Sequence, residues 1–198
     1  MPQNASPSFS IGSLNRASES QAVAMLDRVV ECSAWLAHRA AAARPFRDAA
    51  DLSDWLDREV RTLPRDEAMQ LLCAHPELAP PDPAAMTPAS QSEQGRLDLL
   101  DPDPETAGRL AELNRRYIQR HGYPFVIALH AQRDLAGVFD QFESRLAADP
   151  DEELPRSLCE VVSVMRSRLA RLTGNTGPGA GPAPAAPASG QIRGRVEP

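Results

Sequence analysis

SESQAVAMLDRVVECSAWLAHRAAAARPFRDAADLSDWLDREVRTLP, from Ser18 to Pro64, is the stretch that decides the fold class. Its apolar residues return every third or fourth position: Ala22, Met25, Leu26, Val29 and Val30, and later Leu52, Trp55, Leu56, Val60 and Leu63. This is the spacing of one face of an α-helix rather than the period of two of a half-buried strand. Ser18 with Gln21 three residues later makes a capping box, so the first helix starts there. Ser33, Trp35 and Leu36 open a second helix running toward Arg44-Pro45, and Pro64 stops the third.

The same signs recur outward from this stretch. A short fourth helix carries Ala68, Met69, Leu71 and Leu72 and ends near His75-Pro76, because the residue before a proline is driven out of the helical region. A proline-studded loop follows, from Pro76 to Pro83. Thr87-Pro88 and Asp103-Pro104 each join a capping side chain to a first-turn proline. The helix after Asp103 turns Leu110, Leu113, Tyr117 and Ile118 inward and stops at Gly122. Tyr123 to Leu129 is short, apolar and partly extended. Asp134 caps a helix bearing Leu135, Val138, Phe139, Phe142 and Leu146, and the last helix runs from about Glu152 to Leu172. No alternation of period two is sustained, so the expected architecture is all-α, a single-domain compact bundle of about seven to eight helices over residues 13–173. Residues 1–12 are polar and residues 174–198 are rich in Gly, Pro and Ala. Both are expected to be disordered, since neither buries enough apolar area to offset its ordering entropy.

With 198 residues, 42% of them hydrophobic, the chain supports one core. Its 21 basic residues are all arginine and stand against 27 acidic ones, a net charge of −6, which argues against a nucleic-acid or membrane-binding surface. Without lysine the chain has neither an amine for Schiff-base chemistry nor a P-loop lysine. Nothing approaches the length of a membrane span, and Met1 to Ser10 lacks a basic-then-apolar leader pattern, so a cytoplasmic protein is expected. Cys32, Cys73 and Cys159 are widely spaced and read as buried small apolar side chains, not as a disulfide framework or a zinc knuckle. His38, His75, His121 and His130 form no metal-ligand array, so no metal and no cofactor are expected.

One polar cluster stands out. Ser90, Glu93 and Gln94 occupy positions i, i+3 and i+4, which places a hydroxyl, a carboxylate and an amide on one helix face able to grip a small polar molecule. His75 lies where a helix runs out into the proline loop, a place from which an imidazole can project into a cleft.

These residues belong to an ordered set of motifs. A-H-P-E-L-A at Ala74 to Ala79, S-Q-S-E-Q at Ser90 to Gln94, L-N-R-R-Y at Leu113 to Tyr117 and H-G-Y-P-F at His121 to Phe125 resemble the signature of the OHCU decarboxylases. Trp35 followed by Arg44-Pro45-Phe46 resembles that family's first segment, and Arg145-Leu146 and Arg168-Leu169 resemble its closing helices, so that the likeness covers Leu14 to Leu172. The resemblance implies conversion of 2-oxo-4-hydroxy-4-carboxy-5-ureidoimidazoline to (S)-allantoin, the last step of urate oxidation, by a homodimer with no cofactor. It further implies catalytic roles for His75, Glu93 and Arg168, and substrate contacts at Pro76, Ser90, Gln91, Ser92, Glu93 and Gln94 and along the backbone of Phe125, Val126, Ile127, Ala128 and Leu129. His75 is then expected to move a proton, Glu93 to hold the imidazolium or accept from the substrate, Gln94 to grip the ureido group or the ring carbonyl, and Arg168 to present its fork to a ureido or ring oxygen. His121 departs from the family's usual phenylalanine and is expected to alter packing at the cleft edge, while the tail has no counterpart. The alternative is a non-catalytic helical module binding a purine-breakdown metabolite; a helix-turn-helix regulator is opposed by the acidic charge.

Overall fold

The computed structural model describes residues 9–174, within which there are nine α-helices and no strand. They are α1 (Ile11–Arg16), α2 (Glu19–Val30), α3 (Ala34–Ala42), α4 (Ala49–Arg61), α5 (Arg65–Cys73), α6 (Pro88–Gly95), α7 (Pro104–His121), α8 (Leu135–Leu146) and α9 (Pro150–Thr173), with single 3-10 turns at Pro83–Ala85 and Leu129–Ala131. The all-α expectation therefore holds.

Starts and stops follow the cap chemistry. The Ser18–Gln21 capping box closes in both directions, and the Thr87, Asp103 and Asp134 side chains each accept the backbone N–H groups of the first turn they precede. Asp149 with Pro150 repeats that device, which starts α9 two residues earlier than Glu152. Gly122 ends α7 at φ 84°, where a side chain would be strained.

The boundary at residue 12 is corrected. Ser10 caps α1 by accepting from the Ser13 N–H, and Phe9 and Leu14 on either side of that cap are buried, so order begins by Phe9. An average over a polar segment hides a single buried anchor such as Phe9. Residues 1–8 and 175–198, on which the remaining disorder expectations fall, lie outside the described residues. The cysteines are corrected too: Cys32 and Cys73 are exposed and Cys159 is half-buried.

Helix α9 is the axis of the bundle, packed against α2, α4, α5 and α7 through Leu158, Val161, Val162, Met165 and Leu169. At the middle of the core Phe125 stacks on Phe142 with ring centroids 3.9 Å apart, and Tyr117 meets both edge-on. Beside them lies Arg145, fully buried. Its Nε donates to Glu153 Oε1 (2.7 Å), Nη2 to Ser157 Oγ (2.9 Å) and Nη1 to the Val126 carbonyl (2.9 Å), while the Tyr117 hydroxyl donates to the same Glu153 oxygen. A charge with no access to water is tolerable only when its donors are satisfied in this way. His121 packs on Tyr117 with centroids 4.4 Å apart. It is thus part of this aromatic core and not of a cleft edge, correcting the expectation placed on it.

Candidate active site

The polar cluster is assembled from four chain segments. At the end of α2, Glu31 and Cys32 adopt positive φ (44° and 51°), which reverses the chain into α3 and turns the Glu31 carboxylate inward until it is 7% exposed. Ser90 and Glu93 come from α6, Arg168 and Arg171 from the last turns of α9, and His75 from the run-out of α5.

Arg168, only 3% exposed, holds them together. Its Nε and Nη2 donate to the two oxygens of Glu93 (2.9 and 2.7 Å), a fork-on-carboxylate pair, and Nη1 lies 2.6 Å from Glu31 Oε2. Arg171 Nη2 donates a further bond to Glu93 Oε1 (2.7 Å), and Ser90 Oγ lies 3.1 and 3.0 Å from the two Glu31 oxygens as their donor. Burial alone would raise the Glu93 carboxyl; the two arginines outweigh it and hold Glu93 below its ordinary range, so it is anionic at neutral pH.

His75 Nδ1 lies 2.9 Å from the Leu71 carbonyl, one turn back in α5. A carbonyl only accepts, so Nδ1 carries the proton and Nε2 is left as the basic nitrogen. Burial pushes the His75 pKa below its usual value and the Arg168 charge adds to this, outweighing the Leu71 carbonyl, Glu31 and Glu93. His75 is therefore neutral at pH 7. The expectation that Glu93 clasps the imidazolium is corrected, since the Glu93 oxygens are bound to arginines and the proton-bearing nitrogen of His75 to Leu71.

Three residues of α6 do other work than expected. The Gln94 amide accepts from the Ala79 N–H and donates to the Glu77 carbonyl, both at 2.8 Å, tying down the loop that leaves His75 rather than facing a ligand. Gln91 donates to the Met86 carbonyl of the same loop, and Ser92 is exposed on the opposite side of the helix. Pro76, half-buried, begins the loop. Of the Phe125–Leu129 segment, Phe125 is core, the Val126 carbonyl is taken by Arg145 and the Leu129 carbonyl by Arg96, and the Ala128 N–H donates to Glu160 (2.8 Å). The N–H groups of Val126 and Ile127 and the Ile127 carbonyl have no hydrogen-bond partner among the described residues although both residues are buried, and the 3-10 turn that follows them packs against α6 and α9.

Glu31, Arg171 and His130 were missed as site residues. Arg171 sits three residues after Arg168 on the same helix face, a spacing that would have found it. His130 is exposed, within electrostatic reach of Glu93 and Arg171, with its Nε2 3.4 Å from Ser163 Oγ. Two surface depressions, one around Leu113, Arg116, Glu143 and Pro150 and one around Asn15, Glu19 and Arg44, contain none of these residues. Among the described residues no group of three His, Cys, Asp or Glu is placed to hold a metal ion.

The comparisons with known proteins point one way. Residues 15–170 match the family model described as OHCU decarboxylase. The 2-oxo-4-hydroxy-4-carboxy-5-ureidoimidazoline decarboxylase of Mus musculus is 33% identical over 154 residues, 77% of this chain and 86% of its own. That of Haloferax volcanii is 31% identical over 157 residues, 79% of this chain and 92% of its own. Among solved structures, an OHCU decarboxylase crystallised in the presence of (S)-allantoin shares the fold with a TM-score of 0.59 at 18% identity, covering 80% of this chain and 99% of that one.

Proposed function

The chain belongs to the OHCU decarboxylase family, and on that premise we propose that the cluster of His75, Glu93 and Arg168 decarboxylates 2-oxo-4-hydroxy-4-carboxy-5-ureidoimidazoline to (S)-allantoin in urate degradation. The observation that carries the reading is the placement of His75, whose Nδ1 is held by the Leu71 carbonyl so that Nε2 stays basic, within electrostatic reach of a buried Arg168 already matched by carboxylates.

The substrate's name places a hydroxyl and a carboxylate on C4, next to the ureido-bearing C5, which is double-bonded to a ring nitrogen. When the C4–carboxylate bond breaks, its electron pair forms a C4–C5 double bond and the imine electrons move onto that nitrogen, which takes a proton from water. CO2 leaves. What remains is an enol whose O–H proton must leave and whose C5 must gain a proton on one face. A neutral imidazole does both: Nε2 takes the hydroxyl proton, becomes briefly cationic and returns it to C5, so His75 is regenerated. Holding the ring so that only one face of C5 meets Nε2 sets the S configuration. The unpartnered peptide groups of Val126 and Ile127 would give the ring two donors and an acceptor, and Arg168 has N–H groups left for an oxygen after Glu93 and Glu31 are bound.

The reading extends to a homodimer, as the resemblance implies, and to a cytoplasmic protein with no nucleic-acid or membrane partner, as the acidic charge and the apolar patterning suggest; no described helix is long and apolar enough to cross a membrane. The test supplies urate with a urate oxidase and a hydroxyisourate hydrolase, adds the protein and follows circular dichroism. Rapid appearance of optically active (S)-allantoin is expected; slow racemic product would overturn the reading.

Glu93→Gln, nearly isosteric, is expected to cost mainly kcat. It unpairs the charge on Arg168 and Arg171 and removes a carboxylate that raises the His75 pKa, so the acid limb of kcat/KM moves to lower pH. An unchanged kcat with an unchanged limb would make Glu93 a scaffold residue.

A further inference from the structure

Glu31 has no counterpart among the residues expected to act, yet the fold spends a strained backbone on it. A glutamate at φ 44° lacks the freedom of glycine there, and the conformation persists only where its surroundings hold it. Here they do: both Glu31 oxygens are met by Ser90 Oγ, and one lies 2.6 Å from Arg168 Nη1. With Glu93 it sets two carboxylates against the two guanidiniums of Arg168 and Arg171.

That balance bears on a decarboxylase in particular. A lone buried arginine would bind the substrate's carboxylate tightly, and every increment of that binding is lost as the carboxylate becomes neutral CO2 and its charge moves into the ring. Such binding deepens the ground state and slows the step. We propose that Glu31 is a positioning residue that turns the Arg168 fork and, with Glu93, cancels its charge, so that the substrate's carboxylate is held loosely and leaves. The proposal rests on the decarboxylation read above.

Removing the Glu31 charge leaves the cluster with one net positive charge. The anionic ground state then gains more than the transition state, so Glu31→Gln should lower KM and kcat together, a combination that loss of a merely structural contact does not produce. It should also raise affinity for an anion relative to a neutral ligand that carries the same ureido group. The Glu31→Asp and Glu31→Asn pair repeats the comparison with two residues of the same size, of which only the first keeps the charge.

The experiment measures kcat and KM for wild type and the three variants, with inhibition or binding constants for neutral (S)-allantoin and anionic allantoate, and melting curves to confirm folding. The expected result is a kcat about tenfold lower with a lower KM in Glu31→Gln and Glu31→Asn, and an allantoate-to-allantoin preference raised about tenfold, with Glu31→Asp near wild type on that preference. A raised KM at unchanged kcat, or the same preference in Asp and Asn variants, would overturn it. The preference is read by binding, without turnover. A wild type that makes no (S)-allantoin therefore removes the reaction while the binding ratio still decides whether Glu31 sets the charge of the site.

Discussion

His75→Asn is expected to keep the helical fold and lose about 100-fold or more in kcat, the scale of losing a general acid-base group. Asparagine retains a side-chain N–H for the Leu71 carbonyl, so the turn at the end of α5 keeps its bond and only the basic nitrogen disappears. The pH dependence carries the sharper test. Because burial depresses the His75 pKa, the neutral and active form persists below the ordinary histidine midpoint, and wild-type kcat/KM should fall only as pH drops through that lowered value. In His75→Asn the limb should vanish, leaving a flat, low profile across that range. A variant with near-wild-type turnover, or one that keeps the same acid limb, would remove His75 from the proton transfer.

Most of this arrangement was legible where a local signal carries it. The caps at Ser18, Thr87, Asp103 and Asp134 and the three-and-four spacing of apolar residues specify their helices without tertiary help, so the all-α bundle could be read directly. His75 was visible because His-Pro ends a helix. Glu93 and Arg168 were named singly, but their pairing across 75 residues exists only once α6 and α9 pack together. Glu31 escaped because positive φ is signalled in sequence by glycine or asparagine, and a glutamate there depends on Ser90 and Arg168, which lie far along the chain. The loop bonds of Gln94 were hidden for a related reason: helix periodicity assigns a face, but that this face meets the Glu77–Ala79 loop depends on the path of that loop. Arg145 gave no sign of burial, since an arginine on an amphipathic helix reads as solvated until a buried carboxylate is found opposite it.

That buried pair supports the second large effect. Arg145→Met should destabilise the protein by about 3–5 kcal/mol, the usual consequence of removing one member of a buried ion pair, and lower Tm by roughly 6–20 °C for a domain of this size. The loss comes less from the attraction itself than from what is left behind: Glu153 with no opposing charge in the core and a Val126 carbonyl with no donor. Two controls follow from that reasoning. Adding Glu153→Gln to Arg145→Met should recover a large part of the loss, because the amide is uncharged and its oxygen still accepts from the Tyr117 hydroxyl, whereas Glu153→Gln alone should be destabilising. Below its melting point Arg145→Met should also show a raised KM, since the freed Val126 carbonyl loosens the peptide segment proposed to meet the substrate, and the double variant should not repair this. A single variant as stable as wild type, or a double variant additive in its losses, would show that the core does not depend on this pair, and an unchanged KM would separate the Val126 segment from substrate binding.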